Sequence, residues 1–247
     1  MRWYYQYFVP KFIRHSQKIV TVSEFTKTDV ITYYNTSESK IDVVYNAAKE
    51  VYQPIAISEQ ESIRMKVSDG KPYFVYVGSI HPRKNIVRLL EAFDAFKTQT
   101  KSETKLIIVG RKAWQHDDVA ITLDKLASKN DILFLGHLSS EETASIVASS
   151  LAMCYVSLFE GFGIPIVEAQ QAGTAVITSN LSSMPEAAGE GALLVDPNDT
   201  QAIANAMQRI FEEPLLRETL IQKGFENCKR FSWEKSAEKL WHTIQTL

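Results

Sequence analysis

From Pro72 to Val195 short apolar runs alternate with segments of helical period, and few architectures accept that alternation. Tyr73 to Val77, Leu106 to Val109, Ile132 to Leu135, Ala152 to Ser157, Ala175 to Thr178 and Ala192 to Val195 predict strands joined by crossover helices in a parallel sheet. Between them, Ile86, Leu89, Leu90, Phe93 and Phe96 fall at spacings of three, four and seven, as do Ile203, Met207, Ile210 and Phe211. Weaker stripes predict helices over Ser139 to Ser150 and Trp114 to Lys129. Six strands with such crossovers fit a doubly wound α/β sheet with helices on both faces.

The first seventy residues read differently. Lys18 to Val22 and Ile41 to Tyr45 predict two further strands around a helix from about Ser23 to Tyr34, with Ser23 as its N-cap. Asn46 to Gly70 carries Pro54 and no strand pattern, which suits a linker and an irregular or helical excursion, so a boundary is expected near Asn46. Phe231 to Leu247 predicts an amphipathic helix capped by Ser232, with Ala237, Leu240, Trp241 and Ile244 on one face.

Composition removes several function classes. A hydrophobic fraction of 45% with 11% aromatic residues predicts a folded chain, and a formal charge of −2 gives no reason to expect nucleic acid. Cys154 and Cys228 are too few for a disulfide framework or a zinc finger, and no window approaches a membrane span, so a cytoplasmic location is expected. No Asp-x-Asp pair or His cluster suggests a metal. His15, His81, His116, His137 and His242 are isolated, and His81 alone falls in a candidate site.

Two constellations carry chemistry. After Val77 comes Gly78-Ser79-Ile80-His81-Pro82-Arg83-Lys84-Asn85 and then a helix, so two cations are expected at a helix N-terminus, where the macrodipole already places about half a positive charge. Either both side chains run into solvent, or an anion held by Arg83, Lys84 and free backbone N–H groups reverses the repulsion; phosphate is the natural candidate. The second is Phe159-Glu160-Gly161-Phe162-Gly163-Ile164-Pro165-Ile166-Val167-Glu168, with Pro165 placed to open a short helix and Gly173 to close it. Glu168 is placed either to complement that helix or to accept from a ribose hydroxyl pair; Glu160 is either a solvated loop residue or a group that meets sugar hydroxyls. A glycosidase pair is disfavoured, because its carboxylates stand about 5 to 9.5 Å apart across a cleft and project from different elements.

These residues resemble glycosyltransferase group 1, the large group of retaining enzymes with the two-domain GT-B fold. Val22-Ser23-Glu24-Phe25-Thr26-Lys27 is similar to the family's late N-domain segment, and Ile41-Asp42-Val43-Val44-Tyr45-Asn46 to its approach to the interdomain linker. Val77-Gly78 with His81 to Asn85 resembles the phosphate loop of one branch, and Glu160 to Glu168 matches the Glu-x7-Glu signature. The resemblance implies one half of a GT-B fold, a Rossmann-like sheet. Residues 1–46 would be a remnant of the acceptor domain, 47–230 the donor-binding domain and 231–247 the crossover helix. Arg83 and Lys84 would neutralise the departing diphosphate, and Gly161, Phe162, Gly163 and Ile164 would contact phosphate and sugar. Glu168 would hold ribose, Glu160 would face the transferred sugar, and Gly110, Arg111 and Leu138 would lie near the base. Gly78 and Ser79 belong to the phosphate loop, although many members carry Arg where this chain has Ser79.

The expected function is therefore transfer of a hexosyl group, mannosyl in preference and from GDP-mannose, with retention and no cofactor or obligatory metal, in polysaccharide or glycoconjugate biosynthesis. UDP-sugars stay open as donors. The expected partners are a glycan or lipid-linked acceptor, a separate acceptor-domain chain and peripheral contact with the inner face of a membrane. The aromatic, basic opening from Arg2 to Phe8, with Lys11, Arg14 and Lys18, reads as acceptor-domain remnant, partner contact or membrane surface. Alternatives remain beside transfer: a nucleotide-sugar-binding module without turnover or a truncated inactive fragment, and a nucleotide-sugar epimerase.

Overall fold

The computed structural model describes residues 2–111 and 117–247. Helix α1 (Arg2–His15) precedes a small parallel pair, β1 (Ile19–Thr21) and β2 (Ile41–Val43), joined through α2 (Glu24–Tyr34). Ser23 caps α2 as its sequence predicts, accepting from the Thr26 amide, and Asn35 closes it in the left-handed conformation. An extended stretch then leads to α3 (Ile57–Ser68), the helical excursion. Ala47, Ala48 and Tyr52, just past the expected boundary, are buried in the large core.

That core surrounds six parallel strands: β3 (Tyr73–Val77), β4 (Lys105–Val109), β5 (Ile132–Gly136), β6 (Ala152–Tyr155), β7 (Ala175–Ser179) and β8 (Ala192–Val195). Their order is β5-β4-β3-β6-β7-β8, so the winding reverses between β3 and β6. Crossovers leave that junction to opposite sides and open a crevice at the carboxyl ends of the strands. The predicted strands match within one or two residues at each end. Central positions such as Phe74, Val75, Ile107 and Met153 are fully buried, as a sheet covered on both faces requires.

The helices are α4 (Ile86–Thr100), α5 (Asp117–Lys125), α6 (Ser140–Ala148), α7 (Ile164–Gln171), the short α8 (Met184–Ala188), α9 (Thr200–Glu212), α10 (Pro214–Cys228) and α11 (Trp233–Gln245). The predicted stripes of α4 and α9 meet each other: Leu89, Phe93, Ile203 and Met207 are wholly enclosed, and Phe96 stands edge-on to both Phe74 and Phe211. Ser139 forms a capping box with Glu142 at α6. For α5, the expected start at Trp114, together with His116, lies outside the described residues. Helix α10 was not evident in the sequence; it covers α7 and β7. Ser232 caps α11 as expected, but the stripe of Ala237, Leu240, Trp241 and Ile244 faces solvent. The helix is held instead by Trp233 to the Ala48 carbonyl (3.1 Å), Ser236 to the Tyr45 carbonyl (2.6 Å) and Thr243 to Asp42 (3.0 Å). Trp3, Tyr5, Tyr7 and Phe12 of α1 are likewise exposed. Among the described residues, no helix is long and apolar enough to cross a membrane.

Candidate functional site

The loops leaving β3 and β4 are stitched together at the carboxyl edge of the sheet. Gly78 donates to the Val109 carbonyl (2.9 Å) and Ile80 to the Arg111 carbonyl (2.9 Å). Gly110 has φ +150°, and a Cβ there would stand 1.8 Å from the Gly78 carbonyl oxygen, so only glycine permits this approach. Gly78, Ser79, Gly110, Arg111, Leu138 and Glu168, which the sequence assigns to one site, line a single cavity of about 360 Å³. Lys49, Tyr52 and Ser140 are among the other residues of its wall and were not anticipated there. His81 lines a different cavity of about 440 Å³ beside α5.

The position of the two cations corrects one expectation. Arg83 and Lys84 do not occupy the first turn of α4; they close a 3-10 turn over Pro82–Lys84, and α4 starts at Ile86. Asn85, left-handed at φ 60°, separates the two, and its side-chain Nδ2 donates to the carbonyls of Val156 (3.1 Å) and Pro197 (2.7 Å). The turn is thereby pinned to the end of β6, and Leu158 donates to the Arg83 carbonyl (2.8 Å). The cations consequently face the loop after β6 rather than lying ahead of α4.

There they meet Glu160, which is not a solvated loop residue: only 7% of it is exposed, the same as Lys84. Arg83 Nη1 donates to Glu160 Oε2 (2.6 Å) and to the Phe159 carbonyl (3.1 Å). Lys84 Nζ lies 2.6 Å from Glu160 Oε1 and 2.5 Å from the Tyr155 hydroxyl. The Lys84 approach to Oε1 is a charge contact without the alignment of a hydrogen bond. Burial pushes the Lys84 ammonium below the usual lysine range, against the attraction of Glu160. Burial pushes Glu160 up, but the close ammonium of Lys84 and the hydrogen bond from Arg83 outweigh it and hold the carboxyl below its usual range. The two partners shift in the same direction for different reasons: burial dominates at Lys84, the contacts with Lys84 and Arg83 at Glu160. Two cations against one carboxylate leave a net positive cluster.

The glycine turn beside this cluster has its carbonyls committed. Gly161 O accepts from Ser23 Oγ (2.6 Å) and Thr26 Oγ1 (3.0 Å) at the start of α2, while Ser183 Oγ donates to Glu160 O (2.9 Å) and Phe162 O (3.0 Å). Glu186 fastens the same helix start by accepting from the amides of Glu24 (2.8 Å) and Phe25 (3.1 Å). Among the described residues, the N–H groups of Phe162 and Gly163 have no acceptor. Gly163, at φ +105°, caps α7, with Ile164 the first helical residue and Pro165 the second. Gly173 follows the end of α7 at φ +75°, the closing role its sequence position predicts.

Glu168, one helical turn into α7, faces the cavity. Burial pushes its carboxyl up, opposed by the charge of Lys49 and the influence of the nearby Tyr52 hydroxyl. The site thus falls into two neighbouring parts: a cavity closed at one side by Glu168, and a cationic cluster facing the glycine turn. The loop Gly78 to Lys84 runs from one to the other.

The family described as Glycosyl transferases group 1 matches residues 58–227, more than half of the chain. The chain belongs to it. O-antigen chain mannosyltransferase B of Escherichia coli is 31% identical over 217 residues, covering 87% of this chain and 57% of that protein. O-antigen chain mannosyltransferase RfbU of Salmonella typhimurium is 28% identical over 211 residues, covering 85% of this chain and 56% of that protein. The chain therefore spans a little over half the length of these relatives. Among solved structures, Anabaena Alr3699/HepE in complex with UDP and glucose superposes with a TM-score of 0.85 at 19% identity, over 96% of this chain and 65% of that one. A glycosyltransferase from Rickettsia africae gives 0.83 at 21%, over 98% and 65%. These likenesses bear out the α/β Rossmann-like fold and its place as one half of a GT-B architecture.

The family match spans both the Glu-x7-Glu stretch and the loop after β3. Tyr155, Tyr76, Tyr52 and Lys49 were missed. Each tyrosine sits in or beside an apolar run, where its ring reads as core, and no local spacing marks its hydroxyl as part of a polar site.

Proposed function

We propose that this chain binds a nucleoside-diphosphate sugar and serves as the donor half of a retaining hexosyltransferase in polysaccharide biosynthesis. The observation that carries the reading is the enclosed Lys84, paired with Arg83 on the Glu160 carboxylate beside the glycine turn. A net positive cluster beside uncommitted N–H groups and a helix start matches the charge of a diphosphate. The cavity lined by Gly110, Arg111 and Leu138 would take the base, and Glu168, underpaired and facing that cavity, would accept from the ribose hydroxyls.

In the reaction, the bond between the anomeric carbon and the diphosphate oxygen breaks and its electron pair leaves with the diphosphate. The acceptor hydroxyl forms the new bond on the same face, and its proton passes to a leaving phosphate oxygen. Arg83, Lys84 and the turn amides stabilise the charge that develops on the leaving group, where electrostatic stabilisation is largest. Glu160 sets the two cations and lies on the side of the turn where the sugar would sit. No step needs a metal. The mannosyl group is favoured because the two relatives above carry it in their names, and GDP as its carrier because the His81 to Asn85 loop resembles that of a branch rich in mannosyl transferases.

Calorimetry with GDP, UDP, GMP, UMP and GDP-mannose tests this. Lys84→Ala is expected to abolish the preference for diphosphate over monophosphate, and Glu168→Ala to weaken every nucleotide by about tenfold through the lost ribose contact. Unchanged affinities in both variants remove the assignment. Product analysis with GDP-mannose alone separates transfer from epimerisation, since only the latter converts the donor without an acceptor.

A further inference from the structure

Tyr76 and Tyr155 lie near the carboxyl ends of β3 and β6, the two strands that meet where the winding reverses. Their rings stack with centroids 6.2 Å apart and planes within 13°. Both are enclosed, at 0% and 1% exposure, among central-strand positions that Val75, Ile107, Met153 and Cys154 fill with apolar side chains. Phenylalanine would fill the same volume without a hydroxyl to satisfy, and a buried hydroxyl costs stability unless it is bonded.

Both hydroxyls are bonded, and both reach the loop from Gly78 to Lys84. Tyr76 donates to the Ser79 carbonyl (3.1 Å), and the Tyr155 oxygen accepts from Lys84 Nζ (2.5 Å). The Lys84 ammonium also stands 4.8 Å from the Tyr155 ring centre, at the hydroxyl end of the ring. Burial first, then the charge of Glu160, push the Tyr155 phenol far above its ordinary range, so it remains a neutral acceptor for the ammonium.

We propose that Tyr155 is a positioning residue for Lys84, and that the Tyr76–Tyr155 stack sets the separation between that ammonium and the Ser79 turn across which a diphosphate lies. This rests on reading Gly78, Ser79, Arg83 and Lys84 as the diphosphate site. The groups facing the Lys84 ammonium are Glu160 and Arg83 from the flanking loops and Tyr155 from β6, with Tyr76 of β3 stacked behind. Tyr155→Phe keeps the ring and the stack while removing one acceptor from a buried ammonium. Its charged form is then less favoured, and its titration moves to lower pH.

The test follows the Lys84 ε-carbon by NMR in wild type and Tyr155→Phe from about pH 6 to about pH 10, alongside calorimetry with GDP, UDP, GMP and UMP. Tyr155→Phe is expected to shift the Lys84 titration downward and to weaken GDP and UDP about tenfold, with GMP and UMP within about twofold of wild type. An unmoved titration, or equal losses for mono- and diphosphates, overturns the proposal. A wild-type chain that binds diphosphates no better than monophosphates, with the titration still moved by Tyr155→Phe, instead overturns the diphosphate reading and leaves the Lys84 contact standing. Tyr76→Phe is the second variant, and it keeps the proposal testable if Tyr155→Phe does not fold. It should weaken the diphosphates about threefold without moving Lys84, and unchanged GDP and UDP binding in it removes the Tyr76 hydroxyl's hold on the Ser79 turn from the proposal.

Discussion

Glu160 and Glu168 are equally buried, at 7% exposure each, and only seven residues separate them, yet their carboxyls shift in opposite directions. Desolvation pushes both up. At Glu160 two cations within 2.6 Å overturn that push, whereas Glu168 has a tyrosine hydroxyl and the more distant charge of Lys49, which do not. Burial alone therefore does not fix the state of a carboxylate; the number of cationic partners does. Glu160 has both its oxygens engaged by Arg83 and Lys84. Glu168 keeps acceptor capacity unspent, which is the condition a ribose-binding group requires.

The comparison breaks most visibly at Glu160. Glu160→Ala leaves the Lys84 ammonium buried with only Tyr155 as partner, and truncating one member of a buried pair costs about 3 kcal/mol even after allowing for the half-exposed Arg83. Urea denaturation at neutral pH should read that loss. Adding Lys84→Met should restore much of it, because the uncompensated charge is then gone. The native carboxyl is held below its ordinary 4.5, so its contribution is fully present above that value and fades as pH falls through the depressed native value. Wild type and Glu160→Gln should therefore converge in stability under acid. If Glu160→Ala is neutral at pH 7, the cluster is not as closed as its distances indicate.

Glu168 should behave in the opposite sense. A carboxyl raised above 4.5 by burial stabilises the fold in its protonated form below that value, and the contribution is lost as pH rises through the raised native value. At neutral pH its charge opposes folding. Glu168→Gln keeps an acceptor for Tyr52 and removes that charge, so stability should rise by about 1 kcal/mol while nucleotide affinity falls. Thermal unfolding and calorimetry on one sample measure both. A variant that loses stability shows Glu168 to be a structural partner of Tyr52 rather than an acceptor held in reserve.

Which half of this comparison was legible in the sequence follows from what each half is made of. The six strands and the placement of Gly78, Gly110, Leu138 and Glu168 at one crevice follow from βα alternation, because strand ends of a doubly wound sheet converge whatever the side chains are. Glu168 could be placed from helix position alone. The Glu160 cluster could not, since its partners arrive through a turn pinned by Asn85 to Val156 and Pro197, contacts spanning 71 and 112 residues. Tyr155 was hidden for a different reason: a tyrosine in an apolar run has the periodicity of a core residue, and only the register of β6 beside β3 brings its hydroxyl to Lys84. Helix α10 was missed because only Leu220, Gly224 and Asn227 are enclosed, too sparse and too polar a set to make a stripe.

The finest test of the difference between the two carboxylates is Lys49, whose charge is the first influence holding Glu168 down and which is itself exposed. Lys49→Met removes a cation screened by solvent, so affinity for a nucleotide at neutral pH should change by less than about twofold. The acidic limb of nucleotide binding should nevertheless move to higher pH, because Glu168 must be ionised to accept from ribose and now holds its proton longer. Added salt should imitate the substitution in wild type and have little further effect in the variant, since ions screen the same interaction. The limb would stay put if Tyr52 alone governed Glu168. The two carboxylates would then differ by a nearby hydroxyl against an ion cluster, with no long-range charge involved.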